Sequence, residues 1–141
     1  MRGKRSGWLL AALLLSVLAS GAHAGDAKLP TDEVVRTEMK AIRDLTLNVH
    51  TLVTHRRMPP ADARTYHARV KAAVERLKAG TQVTGAAREE IEKLARFIER
   101  GAGAVAGADS SMSAIDGILI IDESLGVYAQ RFDHPGWQPL R

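Results

Sequence analysis

Three of the five histidines fall within eighteen residues, in His50-Thr51-Leu52-Val53-Thr54-His55-Arg56-Arg57-Met58-Pro59-Pro60-Ala61-Asp62-Ala63-Arg64-Thr65-Tyr66-His67. Imidazole with a methionine thioether suits copper, and imidazole with carboxylate suits zinc or another divalent ion. His50, His55, His67 and Met58 are therefore the candidate metal ligands. His50 and His55 are five apart, about 140° around a helix, so they do not form the i,i+4 pair that a helix offers a metal. A shared site needs help from another helix or from unwinding at the corner, and the connection before the fourth helix returns Asp109, Met112 and Asp116 to this end. The competing structural account makes His50 and His67 boundary residues and His55 a cap for carbonyls at a helix end. Arg56 and Arg57 complement the negative pole of the same helix and form the candidate anion or partner site.

The second polar constellation is Tyr128-Ala129-Gln130-Arg131-Phe132-Asp133-His134-Pro135-Gly136-Trp137. Tyr128 and Phe132 share a helical face, and the Pro-Gly turn can fold Trp137 back, so Tyr128, Phe132 and Trp137 are expected to form a structural lid on the bundle end, near Val34, Leu77 and Ile91. No strand-turn-helix nucleophile motif and no Glu-x-x-His signature occurs, so the chain is not expected to be an enzyme.

The elements that position these residues follow from apolar spacing. Pro59-Pro60 ends one helix and opens the next, because proline lacks the N–H yet fits the first turn. Val35, Met39, Ile42, Leu45, Val49 and Leu52 step by three or four residues and predict a first helix, with Thr31 as its N-cap. Ala63, Tyr66, Val70, Ala73, Val74 and Leu77 predict a second, closed by a left-handed Gly80. Ala87, Ile91, Leu94, Ile98 and Val105 predict a third from about Gly85 to Ala106, in which Gly101 and Gly103 must either fray or pack tightly. Glu89, Lys93, Glu92 and Arg96 read as its solvated face. Ile115, Ile118, Ile121, Leu125, Tyr128 and Phe132 predict a fourth, capped by Ser113 or a neighbour and stopped before Pro135. The fold class is all-α, an antiparallel up-down-up-down four-helix bundle.

Arg2, Lys4 and Arg5, an apolar run from Trp8 to about Leu18 and Ala22-His23-Ala24 have the form of a Sec-type signal peptide cleaved after Ala24. The run is shorter than the roughly 20 residues that span a bilayer, so no permanent membrane anchor is expected. The expected organisation is a signal peptide at 1–24, a flexible leader at 25–30, the bundle at 31–134 and a tail at 135–141 that packs on the bundle end. A bacterial periplasmic or secreted location follows. The formal charge is +4, but three cations lie in the signal and no acid precedes Gly25, which leaves +1 afterwards. That balance argues against nucleic acid. The chain has no cysteine, so there is no disulfide and no C-x-x-C-H for covalent c-type haem.

A signal peptide followed by a small helical bundle resembles the periplasmic four-helix cytochromes. The c-prime type requires the absent C-x-x-C-H. The soluble b type holds haem non-covalently between a methionine and a histidine, for which Met39 and His134 are the positional counterparts. The segments T-H-R-R-M-P-P at Thr54 to Pro60 and Y-x-x-x-F-D-H-P-G-W at Tyr128 to Trp137 resemble small exported proteobacterial proteins labelled DnrO-like. That resemblance implies an association with respiratory or denitrification-type gene neighbourhoods and no defined activity. The expectation is thus a periplasmic, non-enzymatic binding protein acting through the His50–His67 corner on a protein partner or ligand. Its alternatives are a carrier of copper, zinc or non-covalent haem, and a structural subunit that forms a homodimer.

Overall fold

A computed structural model describes residues 27–140 of the chain. The segment expected to be a signal peptide, residues 1–24, lies outside them. Four helices account for the described fold: α1 (Glu33–Thr54), α2 (Pro60–Gly80), α3 (Gly85–Val105) and α4 (Ala114–Arg131). No strand occurs among the described residues, and none of these helices is long and apolar enough to cross a membrane. Each helix packs on its sequence neighbours and α4 closes the ring against α1.

Pairings along two of the interfaces show antiparallel neighbours. Glu38 accepts two hydrogen bonds from Arg76, both at 3.0 Å, while Thr46 Oγ1 lies 2.9 Å from Tyr66 Oη, so α1 and α2 run in opposite senses. Between α3 and α4, Gly101 meets Gly117 and Glu90 pairs with Arg131 at 3.0 Å. The chain is an all-α four-helix bundle.

The core contains nearly all of the expected stripe on α2, α3 and α4, including Val70, Leu77, Ile91, Ile98, Ile118, Ile121 and Tyr128. On α1 the stripe is corrected in its second half. Val35, Met39, Ile42, Thr46 and Val53 are buried, whereas Leu45 and Val49 are only half-buried and Leu52 is exposed. A threonine can occupy the core register because its hydroxyl donates to Ile42 O at 2.8 Å and meets the Tyr66 hydroxyl. Burial pushes Tyr66 up to about 12, against a smaller opposite effect of its bond to Thr46.

Two caps also differ from expectation. Asp32, not Thr31, caps α1, accepting from Val35 N at 2.8 Å. The Thr31 hydroxyl is committed elsewhere, to Asp133 O at 2.6 Å. Asp32 also receives Thr81 Oγ1 at 2.8 Å and Gln82 N at 2.6 Å, so one carboxylate both starts α1 and holds the α2–α3 connection. Gly80 is not a left-handed cap. It remains helical, and its missing side chain admits Val34, whose Cγ1 would stand 3.2 Å from an added Cβ.

The segments flanking the bundle are tied to each other. Leu29, in the expected flexible leader, forms a parallel bridge with Phe132 through Leu29 N to Arg131 O at 2.7 Å and Asp133 N to Leu29 O at 2.9 Å. Tyr128, Phe132 and Trp137 do pack together, with Tyr128 centroids 5.0 Å from Phe132 and 4.8 Å from Trp137. Beyond Trp137 the tail turns along the α1–α4 flank, where Arg43 holds the carbonyls of Gln138 and Pro139.

Candidate functional site

The corner between α1 and α2 begins with an unusual helix end. His55 is the C-cap, Arg56 N donates to Val53 O at 3.0 Å and Arg57 N to Leu52 O at 2.7 Å, the paired bonds of a Schellman motif. The left-handed position of that motif belongs to glycine in most helices, as it does after α3, where Gly107 has φ +74. Here it is occupied by Arg56 at φ +56, which costs a side-chain-bearing residue roughly 1–2 kcal/mol. His55 is exposed, and its Nδ1 donates to Thr51 O at 2.8 Å, so its ring serves the helix end.

Beyond the cap, Met58 is half-buried against the core ahead of the Pro59-Pro60 pair that opens α2. Val53, Met58, Val105 and Ile115 line an open depression of about 320 Å³, with Arg56 and the Ser113-Ala114 start of α4 at its rim. All four helices contribute to this end of the bundle. Arg56 and Arg57 are exposed, and neither forms an ion pair among the described residues. On the neighbouring loop, hydrogen bonds from Ser111 and then Arg100 hold the Asp109 carboxyl below its ordinary value. An anionic group with apolar substituents would thus meet the Arg56 guanidinium at the rim of an apolar floor, with Arg57 next to it in the chain.

The histidines do not share this depression. His50 faces α4, with Nε2 buried, lacking a hydrogen-bond partner and 3.9 Å from Asp122 Oδ2. His67 instead faces α3, with Nε2 3.7 Å from the position of a Cβ on Gly103. The two rings therefore occupy opposite flanks of the ring of helices, while His55 and Met58 stay at its end. Among the described residues, no group of three or more histidine, cysteine, aspartate or glutamate side chains is placed to hold a metal ion.

His134 belongs to the other end of the bundle. Its Nδ1 is hydrogen-bonded with the Tyr128 hydroxyl at 2.8 Å and its ring packs edge-on at 5.0 Å from Trp137. Burial first, and the neighbouring Arg36 charge second, push its pKa down. Burial likewise pushes the Tyr128 phenol up.

Sequence spacing pointed to Arg56, Arg57 and Met58 but missed Val53, Val105 and Ile115 as the floor of the depression. Ile115 and Val105 were legible only as members of core stripes, and their common position depends on how two loops bring four helix ends together. A second apolar feature was also missed. Phe97 and Leu119 are 43% and 45% exposed on the outer face of α3 and α4. Phe97 lies off the inward series of Ile91, Leu94 and Ile98, which was the available signal. Comparison with protein-family models, curated proteins and solved structures returns no match to this chain.

Proposed function

We propose that this chain is an exported, non-enzymatic helical-bundle protein that binds an acidic, partly apolar segment of a protein partner at the α1–α2 corner. The observation that carries the reading is Arg56, held left-handed where glycine would be free of strain, beside the depression floored by Val53, Met58, Val105 and Ile115. Backbone strain of this kind persists where the side chain is worth more than the strain costs. Arg57 adds a second unpaired cation, and the two together favour an anionic partner over a neutral one.

A photo-crosslinking residue at Arg57 tests it in the bacterial envelope. A discrete crosslinked product is expected there and not from Glu75, which lies about 22 Å along α2 from the corner. Arg56→Glu/Arg57→Glu should abolish that product. Equal labelling from both positions would remove the corner from consideration. Titration with Cu(I), Cu(II), Zn(II) and haem tests the carrier alternative, since a ligand that binds the folded state raises its thermal stability. Stoichiometric uptake lost in His50→Ala/His67→Ala would replace the proposed reading with cofactor carriage.

A further inference from the structure

We infer that the outer face of α3 and α4 is a dimer interface that takes a second copy of this chain, independently of what the corner binds. Leu94, Phe97, Ile120 and Val127 line a groove of about 440 Å³ between the two helices, with Lys93 and Glu123 on its walls. Leu119 extends the apolar surface beside it. Phe97 and Leu119 are exposed and Ile120 and Val127 half-buried, and apolar surface gathered in this way marks a contact surface.

The register of the two helices makes the face self-complementary. The contact of Gly101 with Gly117 puts these residues at one level. At 1.5 Å per residue, Phe97 then stands about 6 Å along α3 from that level and Ile120 about 4.5 Å along α4. Lys93 stands about 12 Å along α3 and Glu123 about 9 Å along α4 by the same measure. A two-fold axis parallel to the helices lays α3 of one copy over α4 of the other without changing these levels. Each Phe97 then meets the other copy's Leu119 and Ile120, and each Lys93 meets a Glu123. A two-fold axis across the helices would instead lay α3 over α3 and α4 over α4, so the Lys93–Glu123 attraction between unlike helices favours the parallel axis.

Neither Lys93 nor Glu123 forms an ion pair among the described residues, so both charges are available to this contact. The face is also large enough. A helix of the length of α4 is about 27 Å long and two adjacent helices are about 20 Å wide, roughly 540 Å² in projection. That projection is of the same order as the roughly 800 Å² per partner of a standard interface. The same axis leaves both α1–α2 corners at one end, so the dimer presents them bivalently.

Sedimentation equilibrium of the purified full chain across a concentration series tests the interface. A reversible dimer is expected, weakened at least about tenfold by Phe97→Glu and by either Lys93→Glu or Glu123→Lys. The decisive sample is an equimolar mixture of the two charge variants. Each opposes like charges when it pairs with itself, whereas the mixed pair restores both attractions, so heterodimers must form. Circular dichroism of each variant controls for folding. A monomeric wild-type chain, a dimer indifferent to these substitutions, or a mixture that stays monomeric would each overturn the inference. Crosslinking at the corner is read separately, so failure of one does not decide the other.

Discussion

Gly101 and Gly117 each occupy the space a side chain on the other would need. A Cβ on Gly101 would lie 2.5 Å from Gly117 O, and a Cβ on Gly117 would lie 2.5 Å from Gly101 O. Both obstacles are backbone, so no rotamer change can relieve them, and the α3–α4 interface depends on two absent side chains.

Gly101→Ala and Gly117→Ala should accordingly destabilise the bundle by about 1–3 kcal/mol, the cost of overpacking less some gain in helix propensity. Gly103→Ala and Gly126→Ala should be neutral or stabilising by up to about 1 kcal/mol, because the added methyl meets only His67 at ordinary contact distance in the first and open space in the second. Thermal unfolding followed by circular dichroism checks the contrast. Equal losses at all four sites would contradict the geometry.

Arg56→Gly should raise stability by about 1 kcal/mol by relieving the left-handed cap, while Arg56→Ala keeps the strain and gains nothing. Urea midpoints of the two variants decide this. If the corner binds an acidic partner, the stabilised glycine variant should bind it less well, which separates the strain from the charge.

Asp32 ties α1 to the α2–α3 connection through a carboxylate. Burial raises its pKa, but hydrogen bonds from Val35, Gln82, Thr81 and Val83 outweigh that effect and leave it below its ordinary 3.8. Its stabilising contribution is therefore complete above 3.8 and disappears as pH falls through the lower folded-state value. Asp32→Ala should cost about 1–2 kcal/mol at neutral pH, and the deficit should shrink on acidification. A deficit independent of pH would show that the charge has no part in it.

Below pH 6.5 the His134 end should loosen. With its pKa pushed down by burial and by Arg36, the folded state binds this proton less readily than the unfolded chain. Stability is thus full above 6.5 and declines as pH falls from there toward the folded-state value. Trp137, the only tryptophan among the described residues, packs on both His134 and Tyr128 and should report the change by fluorescence. His134→Gln should flatten that pH dependence.

Both tyrosines should resist ionisation. Burial pushes Tyr66 up to about 12 and raises Tyr128 as well. A phenol with a raised folded-state pKa stabilises fully below its ordinary value of 10 and loses that contribution as pH rises above it. Phenolate absorbance should therefore appear only together with unfolding, as a single cooperative step. Gradual titration near pH 10 in the folded chain would place at least one ring in water.

Local physics made much of the fold legible in the residues themselves. Apolar side chains recurring every three or four positions marked all four helices, Pro59-Pro60 marked the first corner, and Ser113 marked the start of α4, because each of these signals acts over one or two turns. Choices between neighbours were less legible. Thr31 and Asp32 are both competent caps, and only the contact of Thr31 with Asp133, 102 residues away, leaves the role to Asp32. Leu45 and Thr46 both fit the apolar period, and Tyr66 on another helix decides for threonine.

The candidate site shows the same division. The chain order alone put His50, His55, His67, Met58, Arg56 and Arg57 on the two helices that meet at the Pro-Pro break, with an antiparallel hairpin as the default arrangement. Which way each side chain points was settled by rotation of the helices about their axes, and that rotation follows from burying Val53 rather than Leu52 on α1 and from seating His67 against the small side of α3. In the packed bundle each ring faces a different helix, His50 toward Asp122 on α4 and His67 toward Gly103 on α3, so the pair does not converge. Spacing along one helix cannot specify that rotation, because it is a property of the packed interfaces among four.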